Sequence, residues 1–211
     1  MTGRVELHEI LARVERYYSE KLEAHGPTPA GADWNSAESQ TLRFDQLLKL
    51  CPGERGASIN DYGCGYGALV DYLRGAGFQG SYCGLDVSAR MVAAAARLHE
   101  GWPDCRFVTD ESQMAAADYA FASGVLNVRL DVDGETWSGY VRHVLASLDR
   151  LSVKGFAFNA LTAYADAGRM RPELYYAEPG ALFDLCVRSS SRRVALLHDY
   201  PLYEFTILVR K

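Results

Sequence analysis

The stretch NDYGCGYGALVDYL (residues 60–73) places an acidic residue and three glycines between two segments of different period. The residues before it form a short apolar run typical of a buried strand, and the spacing after it predicts a helix. Gly63, Gly65 and Gly67 leave the backbone bare and allow unusual backbone angles, while the start of the helix adds amide donors. Such a loop predicts a ligand site beyond the carboxyl end of a parallel strand.

Around this loop, short apolar strands alternate with helical segments, which predicts an α/β fold with helices on both faces of a mostly parallel sheet. The predicted strands are 57–61, 80–86, 105–109, 117–123 and 152–159, and the predicted helices are 67–76, 88–99, 135–150 and 178–189. The last two strands, 193–200 and 203–210, are joined by two residues. So short a connection permits an antiparallel hairpin and no crossover.

Two helices are predicted ahead of the first strand, and we assign residues 1–54 to an N-terminal helical cap and 55–211 to the core. Residues 4–24 have helical spacing with a charged opposite face. Asn35 is the expected cap of the second helix, with Glu38 three residues later, as in a capping box.

The composition limits the classes of protein to which the chain could belong. The chain has 211 residues and is 48% hydrophobic, which suits one domain with a sizeable core. It contains no apolar run of about 18 residues and starts with a charged segment, so we expect a cytoplasmic protein without a membrane span.

The five cysteines form no CxxC pair, and neither a disulfide framework nor a metal site is expected. A net charge of −5 without a long basic run argues against nucleic acid as a partner. The oligomeric state is not predicted.

Three carboxylates follow successive predicted strands. Asp61 closes the first, Asp86 ends the second, and Asp110 follows the third. A carboxylate in the place of Asp86 is suited to accept hydrogen bonds from ribose hydroxyls, and one in the place of Asp110 could accept from an adenine amino group. Each alone could be a strand-end residue or a helix cap. In this order beside the glycine loop, they predict a ligand that contains adenosine.

The GxGxxG pattern of dinucleotide-binding proteins is absent. A pyrophosphate would gain little from the additional acid Asp61, whereas an ammonium or sulfonium group would be stabilised by it. A nicotinamide-dependent oxidoreductase is therefore the weaker alternative at this point.

The segments DYGCGYG (61–67) and GLDVSARMVAAA (84–95), with the final strand pair, resemble the class I S-adenosylmethionine-dependent methyltransferases over about residues 55–211. The chain is also similar to a small bacterial branch of these enzymes through DWNS ahead of the loop and LHDY near the end. The resemblance implies a Rossmann-like sheet of seven strands with the last one antiparallel, and S-adenosylmethionine as cofactor.

The resemblance also implies which residues bind the cofactor. They are Gly63, Cys64, Gly65 and Gly67 around the methionine part, Asp86 at the ribose, Asp110 at the adenine amino group, and Val87 and Met91 beside the adenine. For Val87 and Met91, plain core packing is an equal alternative.

Further candidates follow from position in the chain. Ser123, after the fourth strand, should border the cofactor, and Asn127 could orient an acceptor atom. Arg43 could pair with the cofactor carboxylate or lie on a solvated helix face. His198 beside the last turn is a candidate base, with a structural role as the alternative.

The segment 159–180 lacks a clear helical period, and a long insertion in a compact domain is often functional. We interpret it as a substrate lid carrying Asn159, Tyr175 and Tyr176, the alternative being a surface loop. Tyr18 and Trp34 of the N-terminal region would form the opposite wall.

These features together predict an S-adenosylmethionine-dependent methyltransferase that acts by in-line displacement. The acceptor would be an oxygen or nitrogen nucleophile of a small molecule, such as a sugar or a carboxylate-bearing metabolite. The Asn-Pro-Pro-Tyr motif of amino methyltransferases that act on DNA bases or protein glutamine is absent. A non-catalytic module that binds the same cofactor stays open as an alternative.

Overall fold

The computed structural model describes residues 2–102 and 104–211. The helices of eight or more residues are α1 (Thr2–His25), α2 (Ala37–Leu48), α3 (Ala68–Gly75), α4 (Ala89–Leu98), α5 (Gly134–Arg150) and α6 (Pro179–Ser189). The strands are β1 (Ile59–Tyr62), β2 (Tyr82–Leu85), β3 (Cys105–Val108), β4 (Ala117–Ala122), β5 (Ser152–Thr162), β6 (Tyr176–Ala177), β7 (Arg193–Leu197) and β8 (Glu204–Arg210).

All the strands belong to one sheet, in the order β3-β2-β1-β4-β5-β8-β7, with the short β6 paired beside the end of β5. The pairs among β1 to β5 are parallel, whereas β8 runs antiparallel to both β5 and β7. This arrangement confirms the predicted mostly parallel sheet of seven main strands with a reversed last strand. The strand order changes direction between β1 and β4, so the carboxyl ends of these strands flank a crevice where ligands bind in open α/β sheets.

The two faces of the sheet carry separate cores. α1 and α5 cover one face, where Trp137, Phe156 and Phe158 are fully buried. α2 and α3 cover the other, through residues such as Leu47 and Val70. The N-terminal helices therefore lie on opposite faces of the sheet. The division at residue 54 stays a prediction.

Three local details differ from the sequence expectations. The helix α2 is capped by Ser36, whose Oγ accepts from the Ser39 amide at 3.1 Å, and not by Asn35. Two adjacent residues of good capping type cannot be ranked from sequence. β7 ends at Leu197, so the last connection is longer than two residues; Pro201 within it has no amide hydrogen for a strand ladder. β5 continues to Thr162, so the first residues of the expected lid are strand.

Within residues 2–102 and 104–211, no helix has the length and apolar character needed to cross a membrane. The same residues contain no group of His, Cys, Asp and Glu side chains that could hold a metal ion. The expected cytoplasmic location stays a prediction.

Candidate functional site

A cavity of about 600 Å³ lies at the carboxyl ends of β1 to β4 and is closed from above by α1, α2 and the segment between them. Nine of the eleven residues predicted to hold the cofactor line it. They are Asp61, Gly63, Cys64, Gly65, Asp86, Val87, Met91, Asp110 and Ser123. The structure therefore brings side chains from four strand ends to one enclosed space.

The glycine loop presents bare backbone to this cavity. Gly65 has a φ of +54°, and a Cβ added there would meet no atom within 4 Å. At Gly63 an added Cβ would lie 2.4 Å from Val125 Cγ2, and at Gly67 it would lie 2.7 Å from His99 Cε1. Gly63 and Gly67 are thus needed for packing. Gly65 keeps space open for a ligand.

Asp86 is fixed against the glycine loop. Its Oδ2 accepts from the Gly65 amide at 2.9 Å, and its Oδ1 accepts from the Ser88 amide at 2.8 Å. Burial raises the pKa of this carboxyl to about 6, although the two amide hydrogen bonds act in the opposite direction. Because a carboxylate offers about four acceptor positions, each oxygen can accept a further hydrogen bond from a ligand hydroxyl.

Asp61 lies at the base of the cavity and is 3% exposed. Its Oδ2 accepts from the Tyr82 hydroxyl at 2.6 Å, a partner that the sequence did not suggest. Burial raises the pKa of Asp61 to about 7, and the charge of Asp86 raises it further, against the Tyr82 hydrogen bond. A cationic ligand group would favour the ionised form.

The raised pKa of Asp61 predicts a pH-dependent stability. Because the folded-state pKa of about 7 exceeds the ordinary value of 3.8, the stabilising contribution is complete at low pH and is lost as pH rises towards and through 7. Between pH 5 and 7.5 we expect the free energy of unfolding to fall by on the order of 2 kcal/mol. Urea titrations across this range measure it. Asp61→Asn should remove the larger part of the dependence and leave the smaller part that comes from the raised pKa of Asp86, whereas the exposed Asp104→Asn should retain all of it. A flat wild-type profile, or an unchanged profile in Asp61→Asn, would contradict the assignment.

The far end of the cavity is built by Asp110 and Glu111. Asp110 accepts from the Ser112 amide at 2.8 Å, and this hydrogen bond lowers its pKa. Glu111 is held by the Tyr62 hydroxyl at 3.0 Å and the Ser147 hydroxyl at 2.9 Å. Both carboxylates are therefore positioned before a ligand arrives.

Tyr62, Glu111, Tyr140 and His143 are among the lining residues that the sequence did not predict. Tyr140 and His143 are three residues apart on α5, and such residues share a helix face. That spacing was the available signal.

Trp34 also lines the cavity and stands directly over Gly124. Gly124 has a φ of +76°, and a Cβ there would lie 2.4 Å from Trp34 Cη2. Tyr18, on α1, lines the same space. These two are the predicted substrate residues that reach the cavity.

Arg43 does not line the cavity, contrary to its predicted contact with the cofactor. Its Nε lies 2.9 and 2.8 Å from the two carboxylate oxygens of Glu204, and its Nη2 also donates to Glu204. Both side chains are buried, and the guanidinium carbon lies 4.2 Å from the centre of the Trp34 ring. The partner is 161 residues away along the chain, so no local sequence pattern indicates this pair.

Asn159 holds the loop after β4, which borders the cavity, through two hydrogen bonds. It is 1% exposed; its Oδ1 accepts from the Gly124 amide at 2.7 Å, and its Nδ2 donates to the Ser123 hydroxyl at 3.2 Å. It therefore fixes the loop after β4 and does not line the cavity.

The other predicted residues lie elsewhere. Asn127 is buried outside the cavity, and His198 is exposed, with its ring 5.9 Å from that of Tyr164. Tyr175 packs 6.1 Å from the Trp137 ring, and the Tyr176 hydroxyl accepts from the Arg171 amide. No residue of the segment 159–180 lines the cavity, because β5 runs on to Thr162 and β6 pairs with its end.

The chain is similar to known methyltransferases. A family model described as a methyltransferase domain matches residues 61–150, which include the glycine loop, Asp86 and Asp110. A protein of Mycobacterium tuberculosis (strain ATCC 25618 / H37Rv), Rv1506c, is provisionally named a methyltransferase and is 54% identical over 154 residues, 73% of this chain and 93% of the relative.

Two solved structures have the same fold. DhpI in complex with SAM and HEP has a TM-score of 0.62 at 16% identity and covers 100% of this chain and 99% of its own. Magnesium protoporphyrin IX methyltransferase from Synechocystis PCC 6803 with bound SAH has a TM-score of 0.61 at 18% identity, over 82% of this chain and 84% of its own. Because the relative is 54% identical over 93% of its own length and the family model matches the part that holds the glycine loop, the chain belongs to the class I S-adenosylmethionine-dependent methyltransferases.

Proposed function

We propose that the cavity binds S-adenosylmethionine and that the chain methylates an oxygen or nitrogen nucleophile of a small molecule. The observation that carries this proposal is the open backbone at Gly65 beside the fixed carboxylate of Asp86, in a space of a size typical of ligand pockets. When bound, S-adenosylmethionine supplies a methyl group already activated on a sulfonium. The chain's task is then mainly to position the reacting groups.

Each part of the cavity suits one part of the cofactor. Gly63, Cys64 and Gly65 offer backbone to the methionine part, and the Oδ1 atom of Asp61 is left for its ammonium group. Asp86 has acceptor positions for the ribose hydroxyls. Asp110 accepts from the adenine amino group, Val87 and Met91 flank the ring, and Ser123 borders the methionine end. Arg43 and Gly67 are not proposed as ligands.

The acceptor would lie between Tyr18 and Trp34. Burial raises the pKa of Tyr18, so its phenol stays neutral and can donate a hydrogen bond to an acceptor oxygen or nitrogen. A general base is needed only when the acceptor must lose a proton. Nucleic acid and membrane surfaces are not proposed as partners.

Calorimetric titration tests the proposal. S-adenosylhomocysteine should bind one-to-one, whereas NAD, titrated in parallel, should not bind. Binding of NAD with no binding of S-adenosylhomocysteine would overturn the assignment of the cavity.

Replacing Asp86 by asparagine should weaken the binding of S-adenosylhomocysteine by about 30-fold, or about 2 kcal/mol, since hydrogen bonds to a charged group contribute about 1.5–3 kcal/mol. Asp86→Asn keeps the size of the side chain, so the fold should be preserved. Asp104→Asn, which changes an exposed acid outside the cavity, is the matched control and should bind as the wild type does. Equal affinities in the two variants would remove Asp86 from the site.

A further inference from the structure

A second depression lies beside the cavity, on the other side of α1. This arginine groove, of about 1130 Å³, is open to solvent and is formed by α1, the loop after β4 and the segment before β6. Its lining residues are Arg13, Arg16, Tyr17, Glu20, residues 129–134, Pro172 and Glu173. None of these residues belongs to the cofactor cavity.

Arg129 lies in the wall of the groove without a counter-ion. It is partly buried, and its Nε atom is buried without a hydrogen-bond partner in the part of the chain that the structure describes. Among the side chains that the structure describes, in residues 7–102 and 104–211, no carboxylate forms an ion pair with Arg129 or with Arg16. A cation withdrawn from water without a partner is costly, and a bound anion would relieve that cost.

Most of the acidic groups in the groove are already engaged. Asp131 pairs with Arg13 at 2.7 Å, and Glu173 pairs with Arg171. Asp133 caps α5 by accepting from the amides of residues 135 and 136. The lining holds three arginines and four carboxylates, so the groove as a whole is not positive. The excess of positive charge is local, at Arg16 and Arg129, since Glu20 is the remaining acid of the lining.

The backbone that carries Arg129 is strained and tightly held. Leu130 has a φ of +57°, a left-handed conformation that costs a bulky residue roughly 1–2 kcal/mol. The amides of Arg129 and Leu130 both donate to the Glu173 carbonyl, at 3.0 and 2.8 Å, and the Tyr175 amide donates to the Asn127 carbonyl at 2.8 Å. These backbone hydrogen bonds hold the loop in a strained conformation that it would not keep without them. Strain of this kind concentrates at functional sites.

The groove is close to the site of methyl transfer. Val125 lines the cofactor cavity and Arg129 lines the groove, and four residues span at most about 14 Å. On α1, Tyr18 faces the cavity while the neighbouring Tyr17 faces the groove. The cavity and the groove therefore lie on two sides of the same walls, α1 and the loop after β4.

We propose that the arginine groove binds an anionic group, a carboxylate or a phosphate, of the methyl acceptor, with Arg129 as its main ligand and Arg16 as a second one. The inference rests on the proposed function and narrows the acceptor class. The acceptor is a small acid, with its nucleophile at the cavity and its anionic group in the groove. Guanidinium suits both anions because its donors match their paired oxygens.

Arginine side-chain NMR tests this directly. Inorganic phosphate and succinate, each titrated into the full chain, should shift the Nε–H resonance of Arg129 saturably, and the anion that saturates at lower concentration identifies the acceptor's acidic group. In Arg129→Ala, calorimetric binding of that anion should weaken at least tenfold, and Arg129→Lys, which keeps the charge, should recover part of it. Arg192→Ala, which removes an exposed arginine outside the groove, is the matched control. No saturable shift in the wild type, or unchanged affinity in Arg129→Ala, would overturn the proposal.

Titration with S-adenosylhomocysteine separates this inference from the proposed function. Wild type and Arg129→Ala should bind it equally, which also verifies that the variant is folded. If S-adenosylhomocysteine binds and neither anion does, the groove assignment fails and the cofactor assignment stands. If an anion binds and S-adenosylhomocysteine does not, the cofactor assignment fails, and with it the identification of the anion as part of a methyl acceptor.

Discussion

Replacing Gly65 by arginine is expected to abolish the binding of S-adenosylhomocysteine while leaving the protein folded. A Cβ at this position meets no atom within 4 Å, so the new side chain enters the cavity without disturbing the core. The left-handed φ of +54° adds a strain of about 1–2 kcal/mol. Calorimetry with the ligand and a urea titration on the same sample measure the two effects separately.

Gly53 provides a matched control for that strain. It also has a positive φ, of +79°, and open space around its Cβ, but it is exposed and lies outside the cavity. Gly53→Arg should therefore lose similar stability and bind S-adenosylhomocysteine with wild-type affinity. If Gly65→Arg binds the ligand normally, the glycine loop is not the cofactor site.

The second large effect is expected from the buried pair of Arg43 and Glu204. Removing one partner by Arg43→Ala leaves the other charge uncompensated in the core, and we expect the free energy of unfolding to fall by about 3–5 kcal/mol. Replacing both partners by apolar residues, in Arg43→Met with Glu204→Leu, should restore most of that loss, since the cost comes from the unpaired charge. Urea unfolding of the wild type, Arg43→Met, Glu204→Leu and the double variant forms the cycle that measures the coupling.

The exposed pair of Arg90 and Glu23 is the comparison for that experiment, since it shows how much free energy of unfolding is lost when an exposed ion pair is broken. Its atoms are 3.0 Å apart, but both side chains are largely exposed, so Arg90→Ala should cost less than about 1 kcal/mol. An equally small effect for Arg43→Ala would contradict the prediction that Glu204 is left as an uncompensated buried charge.

The order of the strands and the cofactor end of the site could be predicted because their signals are local. The hydrophobic residues of each core strand and helix repeat with the period of that element. The glycines and acids lie at the carboxyl ends of strands, and a parallel sheet brings those ends to one edge. Asp86 is an example: the position that follows β2 decides its contact with the loop after β1. The acceptor side could not be predicted in the same way. Asn159, Tyr175 and Tyr176 were assigned from a segment without periodicity, and strand pairing carries that segment past the cavity.

The sequence by itself determined the sheet, the open glycine loop and the carboxylates at the strand ends, because local spacing and strand polarity are sufficient to place them. The tertiary structure alone decided the partner of each charged group. Arg43, a predicted ligand, pairs with Glu204, which is 161 residues away in the chain. Arg129 has no hydrogen-bond partner for its buried Nε atom within the part of the chain that the structure describes. The free energy of a charge depends on what surrounds it in space, and the surroundings of these two arginines exist only after folding.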